Sequence, residues 1–551
     1  MRTFAVAILA TFLSVNAFAI VDMKNANYSN TWIDMEVPGT GYDLKIVRTY
    51  NSRSLFNGMF GFGWCSDFET KLEITGDGFL KLRECGAGQE VVYAPQEIKT
   101  EDVQAKIKVL VEKIKKDSKG KFTDDYFKKL SQEVFRDDDR RNSLFRKYGI
   151  STPVKEGMKY MANGKEVEHI IYAKNIFTRQ FTDGSYQRFS PEGKLTHHYD
   201  RNGNFLKFEY DKDLITQITD NNARRLSFKY FPNRKVKEIV GPNSLKAEYK
   251  FANLDDLSWA KNAQKNEFAY DYDELHNLTK AVWPDKTAIN IKYDTKRDWV
   301  TNFTDRDKCV ENYTYELSKD DPKNHYSSTV KKTCGKEVVA ENKYEFWYKQ
   351  KADGNPFLAR VITNVGTDST DISYHEVFGK PISITKNKEK TVYEYYSDGQ
   401  VKLKASPLNK MSYTYHPTVK KVSEVKTDLF DAQGKKQGSR TTKFDYDGKG
   451  NLIFAQNNDG QKITMTYDPK GRISTITDQA KKVVSIQYEE RLGKPAVVSR
   501  PGLGTIKVSY KPNGDILKVD SKEGPSVAVQ VASTFNNLLD IIAPATAELY
   551  L

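Results

Sequence analysis

The sequence predicts a mainly β protein built from repeated hairpins, with one small helical insertion. Tyr446, Tyr467, Tyr488 and Tyr510 follow one another at nearly equal intervals, and a fixed period in this range is typical of a repeat architecture. Between these tyrosines apolar and polar residues alternate, as over residues 483–488, which is the pattern of a strand with one covered face. The insertion is predicted from a sustained run of apolar residues at helical spacing.

The segment 1–19 has the features of a secretory signal. Arg2 precedes an apolar run over residues 4–15, and Ala-Phe-Ala at 17–19 forms a small-residue cleavage site. We therefore expect cleavage after Ala19 and export to the periplasm, the cell surface or the medium. No cysteine directly follows the cleavage site and no later run of about 18 apolar residues occurs, so neither a lipid anchor nor a transmembrane anchor is expected.

Residues 20–95 are predicted to form an opening β domain. Leu44 and Ile46 alternate with polar neighbours, and Leu80 and Leu82 repeat this pattern. Glycines separate the aromatic residues over 58–64, which indicates tight turns that pack aromatic rings. Because terminal units of a repeat array are usually atypical, we expect this segment to cap the start of the repeats.

Residues 96–160 are predicted to form the helical insertion. Val103, Ile107 and Leu110 recur at helical spacing. Gly120 ends this run, and Thr123 with the acids after it predicts the N-terminus of a second helix. The insertion could serve as a lid or a docking arm, but an ornament packed on the β structure is the favoured interpretation.

Residues 161–524 are predicted to carry the repeats, each a strand, a turn and a second strand. In the turn, an Asp side chain can accept bonds from backbone amides two residues on, while Gly450 or Gly471 takes a positive φ without steric cost. At residues 272–278 we interpret Asn277 as the replacement for this glycine, because Asn tolerates the conformation well. The residues that define the motif are Tyr199, Asp200, Gly203, Tyr272, Asp273, Tyr446, Asp447, Gly450, Tyr467, Asp468 and Gly471. The tyrosines that continue the series at uneven steps are Tyr210, Tyr230, Tyr249, Tyr293, Tyr315, Tyr344, Tyr374 and Tyr396.

Two stretches interrupt this rhythm, and we predict that both are long surface turns: residues 318–324 and residues 428–440. The alternation inside a unit is also imperfect, because Ile473 and Ile476 have opposite parity along the chain. A β-bulge, or burial of both faces of the strand, would explain this parity.

The motif Tyr-Asp-x-x-Gly-x-Leu at this period resembles the YD repeat of rearrangement-hotspot (RHS) and teneurin-type proteins. Pro38-Gly39, followed by Arg-Thr-Tyr-Asn-Ser-Arg-Ser at 48–54 and Phe-Gly-Phe-Gly-Trp at 60–64, is similar to the domain that opens many bacterial RHS proteins. The resemblance implies that the repeats form one spiralling antiparallel sheet, closed or partly closed into a shell. It also implies an aromatic ladder, in which Tyr and Phe rings at strand ends stack from turn to turn.

In this family the C-terminal portion often enters the shell. Apolar residues lie on one helical face of residues 525–551 and end before Pro544, so we expect an amphipathic tail helix inside or against the shell. RHS proteins that process toxins carry a core-end motif with catalytic aspartates. No Asp-Pro-x-Gly-Leu stretch precedes this tail, and self-cleavage with delivery of a C-terminal toxin is therefore not expected.

The four cysteines fall into two local pairs, Cys65 with Cys85 and Cys309 with Cys334. Export into an oxidising compartment favours disulfides, and of the three pairings we predict the local one. A zinc site is the alternative, but no Cys-x-x-Cys and no neighbouring histidine support it.

The chain carries 86 Lys and Arg against 73 Asp and Glu, a net charge of +13, and its cations are spread along the whole length. One interpretation is attraction to an anionic envelope surface, a glycan or a protein partner. The other, slightly favoured, is that outward lysines confer solubility and protect sheet edges. Nucleic acid would require a concentrated basic patch, so it is not an expected partner.

No catalytic, cofactor-binding or metal-binding site is expected. His197 and His198 would point to opposite faces of a strand. Residues 200–204 and 447–451 carry oxygen ligands at alternate positions, as in a calcium loop, but they lack the distant bidentate acid and turn capping explains them equally. A carboxylate pair for glycoside hydrolysis cannot be singled out from 73 acidic residues.

The function that follows is that of an exported, non-enzymatic YD-repeat protein that acts as an enclosing shell or as an adhesion module at the cell surface or envelope. One alternative is an envelope protein that binds or degrades polysaccharide. Another is a carrier shell for a separately encoded toxin, which would make an enclosed polypeptide its partner.

Overall fold

The computed structural model describes residues 20–84, 89–96, 100–162, 164–165, 167–351, 356–502, 504–521 and 541. The predicted signal, Cys85 and the predicted tail other than Ile541 therefore lie outside the described residues. The described chain is mainly β, as the sequence predicts, and its strands fall into a small opening region and one very long sheet.

Six short strands form the opening region: β1 (Ile20–Asp22), β2 (Asn27–Val37), β3 (Leu44–Asn51), β4 (Asn57–Gly58), β5 (Gly61–Phe62) and β6 (Trp64–Cys65). Strands β1, β2, β3 and β6 make one antiparallel sheet, while β4 and β5 pair with each other. A turn of 3₁₀ helix at Asp67–Glu69 follows, with Ser66 and Glu69 forming a capping box that ends the region.

The long sheet begins with β7 (Lys71–Ile74), β8 (Leu80–Glu84) and β9 (Gln89–Pro95). Its next strands are β10 (Lys159–Met161), β11 (His169–Ala173), β12 (Ile176–Gln180), β13 (Tyr186–Phe189), β14 (Leu195–Tyr199), β15 (Phe205–Asp211), β16 (Leu214–Asp220), β17 (Arg225–Tyr230), β18 (Val236–Val240), β19 (Lys246–Ala252), β20 (Asp256–Lys261), β21 (Glu267–Tyr272), β22 (Leu278–Val282), β23 (Ala288–Tyr293), β24 (Val300–Thr304), β25 (Val310–Leu317), β26 (His325–Cys334), β27 (Glu337–Gln350) and β28 (Pro356–Val365).

The sheet continues through β29 (Asp368–Tyr374), β30 (Pro381–Lys386), β31 (Glu389–Tyr395), β32 (Val401–Ala405), β33 (Asn409–Tyr415), β34 (Val422–Phe430), β35 (Lys436–Tyr446), β36 (Leu452–Asn457), β37 (Lys462–Tyr467), β38 (Ile473–Asp478), β39 (Val483–Tyr488), β40 (Pro495–Arg500), β41 (Gly504–Tyr510) and β42 (Ile516–Ser521). Every strand from β7 to β42 pairs antiparallel with the next strand along the chain.

This sheet winds as a spiral rather than closing on itself. In the described chain no ladder joins β42 to β7. Instead the start of β7 meets the turn between β13 and β14, through an isolated bridge from Lys71 to Lys194 and a bond from the Leu72 amide to the Gly193 carbonyl (2.9 Å). Farther on, a side chain at Gly164 would meet the carbonyl of Phe378, because the turn after β10 lies beside the turn after β29. The predicted spiralling, partly closed shell is confirmed, and we call β7–β28 its first revolution and β29–β42 its second.

A β-bulge recurs where each hairpin meets its Tyr-Asp turn. Along β37 and β38, Met465 faces Ile476 but Tyr467 faces Ile473, so the register shifts by one residue between them. The same shift occurs at Asp445/Tyr446, Gln487/Tyr488 and Ser509/Tyr510. Of the two explanations for the parity of Ile473 and Ile476, the bulge is therefore the correct one.

One of the two predicted long turns is confirmed and the other is wrong. Residues 318–324 do connect β25 to β26. Residues 428–440, however, belong mostly to β34 and β35, which extend toward each other and leave only residues 431–435 as the turn. The extra length of chain therefore lengthens a hairpin instead of forming a loop.

The helical insertion contains α1 (Thr100–Asp117), α2 (Asp124–Arg136) and a third helix that the sequence did not predict, α3 (Asp138–Lys147). Thr123 caps α2 as predicted, since its hydroxyl accepts a bond from the Tyr126 amide. The insertion packs as an ornament, because Arg141 of α3 forms a buried ion pair with Asp77 in the β7–β8 turn (2.7 Å). Strands β9 and β10 pair directly with each other, so the insertion leaves the sheet uninterrupted.

Candidate functional site

The opening region lies across the inner face of the first revolution, and we call residues 20–70 the plug. Backbone bonds tie it to several strands: the Val300 amide donates to the Ala26 carbonyl (3.1 Å), and the Val236 amide donates to the Met59 carbonyl (2.8 Å). Aromatic rings fill the space between them, with Trp32 edge-on to Tyr270 at 5.6 Å. The plug and the inward side chains of β7–β25 share one continuous hydrophobic core.

A buried ion pair stands at the centre of this interface. Asp34 on β2 and Arg48 on β3 are both fully buried and form a two-point ion pair, with Arg48 Nη2 to Asp34 Oδ1 at 2.9 Å. The shell completes the group: Tyr249 donates its hydroxyl to Asp34 (2.8 Å), and the hydroxyl of Tyr270 accepts from Arg48 (3.2 Å). Burial by itself lowers the pKa of Arg48, but Asp34, Tyr270 and Tyr249 together outweigh burial and hold that pKa above its ordinary value.

Sequence reasoning did not single out Asp34 and Arg48, although a signal was available. Both occupy inward positions near large apolar inward residues of the same strands, such as Trp32 and Ile46. A charged residue in such a register requires a buried partner, because an unpaired buried charge is very costly. An inward Asp and an inward Arg on neighbouring strands are therefore predicted to form an ion pair.

A ladder of tyrosine hydroxyls links each hairpin to the one before it. Tyr293 on β23 donates to the carbonyl of Leu278, the first residue of β22 (3.0 Å), and Tyr272 does the same to Leu257 (2.9 Å). The ladder tyrosines of the described chain are Tyr210, Tyr230, Tyr272, Tyr293, Tyr315, Tyr395, Tyr415, Tyr446, Tyr467, Tyr488 and Tyr510. The predicted ladder thus exists, but hydrogen bonds rather than ring stacks connect the rungs seen at Tyr467, Tyr488 and Tyr510.

Some tyrosines of the predicted series do not belong to the ladder. Phe251, not Tyr249, takes the rung between Tyr230 and Tyr272, since the register shift falls at Lys250/Phe251. When Phe251 replaces Tyr249 in the series, its intervals to Tyr230 and to Tyr272 are equal. The steps seem uneven in the sequence when Tyr249 is counted as the member of the series. Tyr199 is at the opposite end of its hairpin and stacks on Tyr186 at 4.6 Å. The rung on β31 is Tyr395 and not the neighbouring Tyr396.

The turn chemistry of the motif is as predicted except at one position. Asp468 accepts from the amides of Lys470 (3.0 Å) and Arg472 (2.9 Å), and Gly471 has a φ of 81°. In residues 272–278, however, His276 holds the positive φ (66°), so it and not Asn277 replaces the glycine. Asn277 has a different task, because its side chain donates to Asp273 within the same turn (3.2 Å).

The two segments with a calcium-like pattern, 200–204 and 447–451, lie against each other where the two revolutions meet. Asn451 donates to the side chain of Asn202 (2.9 Å) and accepts from Arg201 (3.0 Å), and we call this contact line the seam. In each turn the aspartate is already engaged: Asp200 and Asp447 both accept amide bonds from residues two and four positions on. Turn capping therefore accounts for their carboxylates.

The seam extends to the plug. Thr40 donates to the carbonyl of Glu490 (2.6 Å) on the second revolution, and its own carbonyl accepts from Asn222 (2.9 Å) on the first. Lys421 lies nearby, and burial together with Arg201 lowers the pKa of its ammonium group to about 8. One loop of the plug thus touches both revolutions where they meet.

The inner face of the second revolution is apolar and forms its own cluster. On β33, Met411 and Tyr413 point inward, whereas Ser412 and Thr414 are exposed on the outer face. The cluster includes Ile463, Ile476 and Val484, which are fully buried, and the one described residue of the C-terminal segment, Ile541, is fully buried among them.

The cysteines are described unequally. Cys309 and Cys334 form the predicted disulfide, which links the start of β25 to the end of β26. Cys65 is buried in β6. Because Cys85 lies outside the described residues, its pairing with Cys65 stays a prediction.

The histidine pair His197–His198 packs against aromatic rings, with His198 at 5.2 Å from Tyr42 and His197 at 5.4 Å from Tyr199. Burial lowers the pKa of both imidazoles. Across the described ranges, His, Cys, Asp and Glu side chains do not gather in threes suited to a metal ion. Nor does any described helix have the length and apolarity that a bilayer crossing requires.

Comparison with known proteins agrees with the opening motif. Residues 19–93 match a family described as a domain of unknown function, DUF6531. A stretch of 125 residues is 26% identical to the probable deoxyribonuclease RhsB of Dickeya dadantii (strain 3937), and this match covers 22% of the chain but only 8% of that protein.

Among solved structures, the crystal structure of TcdB2-TccC3-TEV has a TM-score of 0.42 at 12% identity and covers 66% of this chain and 22% of that one. The structure of TcdB2-TccC3 without its hypervariable C-terminal region gives the same score and identity, with coverages of 67% and 22%. The chain thus spans under a quarter of each of these two chains.

Proposed function

We propose that this chain, an RHS-type YD-repeat protein, is a non-enzymatic shell that encloses a polypeptide. The observation that carries the proposal is the apolar inner face of the second revolution, against which Ile541 is fully buried. The first occupant we propose is the chain's own tail, residues 525–551, to which Ile541 belongs. Export by way of residues 1–19 is part of the same proposal.

The alternation along the strands of the second revolution supports an interior occupant. Lys462 and Thr466 face outward on β37, while Ile463 and Met465 face inward and are buried. A sheet with one apolar face is stable only when another element covers that face. Burial of a side chain such as Ile541 is worth about 1.5–3 kcal/mol, so an apolar segment would gain stability by entering the shell.

The plug supports the same function from the other end. It lies across the inner face of the first revolution and shares one continuous hydrophobic core with the inward side chains of β7–β25. The apolar inner surface that remains for an enclosed polypeptide to cover therefore belongs to the second revolution. A shell that is filled at one end and lined with apolar side chains toward the other resembles a receptacle more than a flat adhesive surface.

Nuclease activity is not carried over from the relative that bears that name, because the match covers 8% of it. A separately encoded polypeptide in place of the tail, as in the carrier interpretation, is a second outcome of the experiment below.

A photoreactive residue placed on either face of one strand tests the proposal. Met411 points inward and is half-buried, and its neighbour Ser412 is exposed on the outer face, so the two positions form a matched pair. We expect a benzoylphenylalanine at 411 to cross-link to a polypeptide, either peptides that contain Ile541 or a copurified chain, and the same group at 412 not to do so. Equal yields at the two positions, or no polypeptide adduct at 411, would overturn the enclosing role.

A further inference from the structure

A second site lies outside the shell interior, where the plug, β7 and three turns of the first revolution meet. A cavity of about 300 Å³ opens there, lined by Phe56 and Glu69 of the plug, by Lys71 of β7, by Tyr210 of β15 and by turn residues that include Lys194 and Lys235. This volume is within the range of small-molecule sites in proteins. The cavity lies where β7 meets the β13–β14 turn, at the isolated bridge from Lys71 to Lys194.

Three cations stand in a row along one wall. Lys71 faces Arg83 across the β7–β8 pairing and faces Lys194 across the isolated bridge on its other side. Residues directly opposite each other on antiparallel strands have Cβ atoms about 4.5–5.5 Å apart, and like charges in that position are destabilising. Repulsion among the three cations therefore destabilises the protein when nothing is bound. An anion bound between them would reduce this repulsion.

Carboxylates form direct ion pairs with the two ends of this row, and Asp213, whose pKa is lowered mainly by Lys194, also interacts electrostatically with Lys71. Arg83 pairs with Glu90 (3.1 Å) and Lys194 with Asp213 (3.2 Å). Lys71, the central cation, makes no ion pair with any residue that the structure describes, and it is exposed to the cavity.

Two carboxylates also face the cavity, and both are engaged. Glu69 accepts from the amides of Met59 (2.7 Å) and Ser66 (3.1 Å). Asp213 is shared between Lys194 (3.2 Å) and Arg234 (3.7 Å). Since the cations that line the cavity are Lys71, Arg83, Lys194, Arg234 and Lys235, positive charge remains in excess.

Apolar and aromatic side chains line the cavity beside the cations, and the Lys194 ammonium group lies 5.8 Å from the centre of the Tyr210 ring. Tyr210 and Tyr230 donate their hydroxyls to backbone carbonyls (2.8 Å each), so their rings rather than their hydroxyls are offered to the cavity. Phe68 and Met59 line it beside them. Aromatic rings beside a group of cations match a ligand that combines a ring with C–H faces and an anionic substituent.

We propose that this cavity binds a saccharide that carries a phosphate or carboxylate group. The anionic group sits at Lys71, between Arg83 and Lys194, and the sugar ring packs on Tyr210 and Phe68. The site is separate from the shell interior, so this proposal and the enclosing role can succeed or fail independently.

Binding to the full chain at low salt, measured by calorimetry, tests the site with four probes: glucose 6-phosphate, glucuronate, glucose and inorganic phosphate. We expect glucose 6-phosphate and glucuronate to bind at least about tenfold more tightly than glucose or inorganic phosphate, because only they contact both the cations and the aromatic rings. Equal binding of inorganic phosphate and glucose 6-phosphate would mean a bare anion site and would overturn the saccharide. Equal binding of glucose and glucose 6-phosphate, or no binding of either acidic sugar, would overturn the proposal as a whole.

Reversing the charge of Lys71 tests whether this residue binds the anionic group of the saccharide. Lys71→Glu should weaken binding of glucose 6-phosphate by more than about tenfold. Lys462→Glu, at an exposed lysine that also begins a strand of the sheet, is the matched control and should bind as the wild type does. Without ligand, Lys71→Glu should be no less stable than the wild type, because it removes like-charge repulsion. Unchanged binding by Lys71→Glu would place the ligand elsewhere and contradict the proposal.

Discussion

The hydroxyl of Tyr488 donates to the carbonyl oxygen of Ile473 at 2.8 Å. Ile473 is the first residue after the preceding Tyr-Asp turn, so the bond ties one hairpin to the hairpin before it. Tyr467 makes the same bond to Leu452 (2.8 Å), one repeat earlier. The tyrosine of the motif therefore acts between repeats, while the aspartate and the glycine act within a turn.

Tyr488→Phe should lower the free energy of unfolding by about 0.5–1.5 kcal/mol, because it removes one hydrogen bond and keeps the ring. Urea unfolding of the full chain measures the loss. Tyr199→Phe is the control, since Tyr199 is outside the ladder, and its effect should stay within about 0.5 kcal/mol. Equal losses in the two variants would show that the ladder bond has no special value.

Gly471→Ala should cost more stability than Gly460→Ala. The two glycines have similar φ values of 81° and 86°, so the backbone strain of alanine, about 1–2 kcal/mol, is common to both. At Gly460 the added methyl group meets no atom within 4 Å, whereas at Gly471 it would clash with Asn202 across the seam. The additional loss, about 1–3 kcal/mol, measures the contact between the two revolutions in paired urea unfolding curves. Identical curves would show that the seam does not hold.

Arg48→Met should destabilise the plug by about 3–5 kcal/mol, because it leaves Asp34 charged and buried without its partner. Adding Asp34→Asn should recover part of this loss, since no charge then remains and Tyr249 keeps an acceptor. Tryptophan fluorescence during urea unfolding reports on this site, as the Trp64 ring lies 4.8 Å from the Arg48 guanidinium. Arg225→Met, at an exposed strand residue, serves as the control. A double variant no more stable than Arg48→Met would refute the role assigned to the buried charge.

Stability should depend on pH through Glu69. Burial raises the pKa of its carboxyl from 4.5 to about 7. The folded state therefore holds this proton more tightly than the unfolded chain, and the resulting stability is complete below pH 4.5 and is lost as the pH rises through about 7. Glu69→Gln cannot ionise, so its melting temperature relative to the wild type should increase over this range. Glu192→Gln should show no such increase, because a bond from Ser190 lowers the pKa of the Glu192 carboxyl. Parallel profiles for wild type and Glu69→Gln would contradict the assignment.

Peptide mapping without reduction should recover a peptide that joins Cys309 to Cys334. We expect a second linked peptide with Cys65 and Cys85, which the sequence predicts for an exported chain. Alkylation of Cys65 in the unreduced, unfolded protein would rule out that second pair. Replacing both Cys309 and Cys334 with serine should lower the free energy of unfolding by about 2–4 kcal/mol, because the bridge restricts the unfolded chain.

Much of the fold was readable from the sequence because its signals are local. The spacing of the tyrosines, the aspartate and glycine of each turn and the hairpin closed by Cys309 and Cys334 all involve residues close together in the chain. The errors were local too. Tyr249 and Phe251 are two residues apart on one face of β19, so composition alone could not tell which aromatic carries the rung.

The sequence by itself therefore determined the repeat, its turn chemistry and the β character of the chain. Only the tertiary structure decided that Asp34 and Arg48 meet Tyr249 and Tyr270 in the core, that Lys71 stands between Arg83 and Lys194, and that Asn202 contacts Asn451. Such contacts join residues that are far apart in the chain, and they depend on how the small twist of each strand accumulates around the whole spiral. The sequence pattern does not show how strongly each strand twists. It therefore does not predict which turns lie side by side after a full revolution.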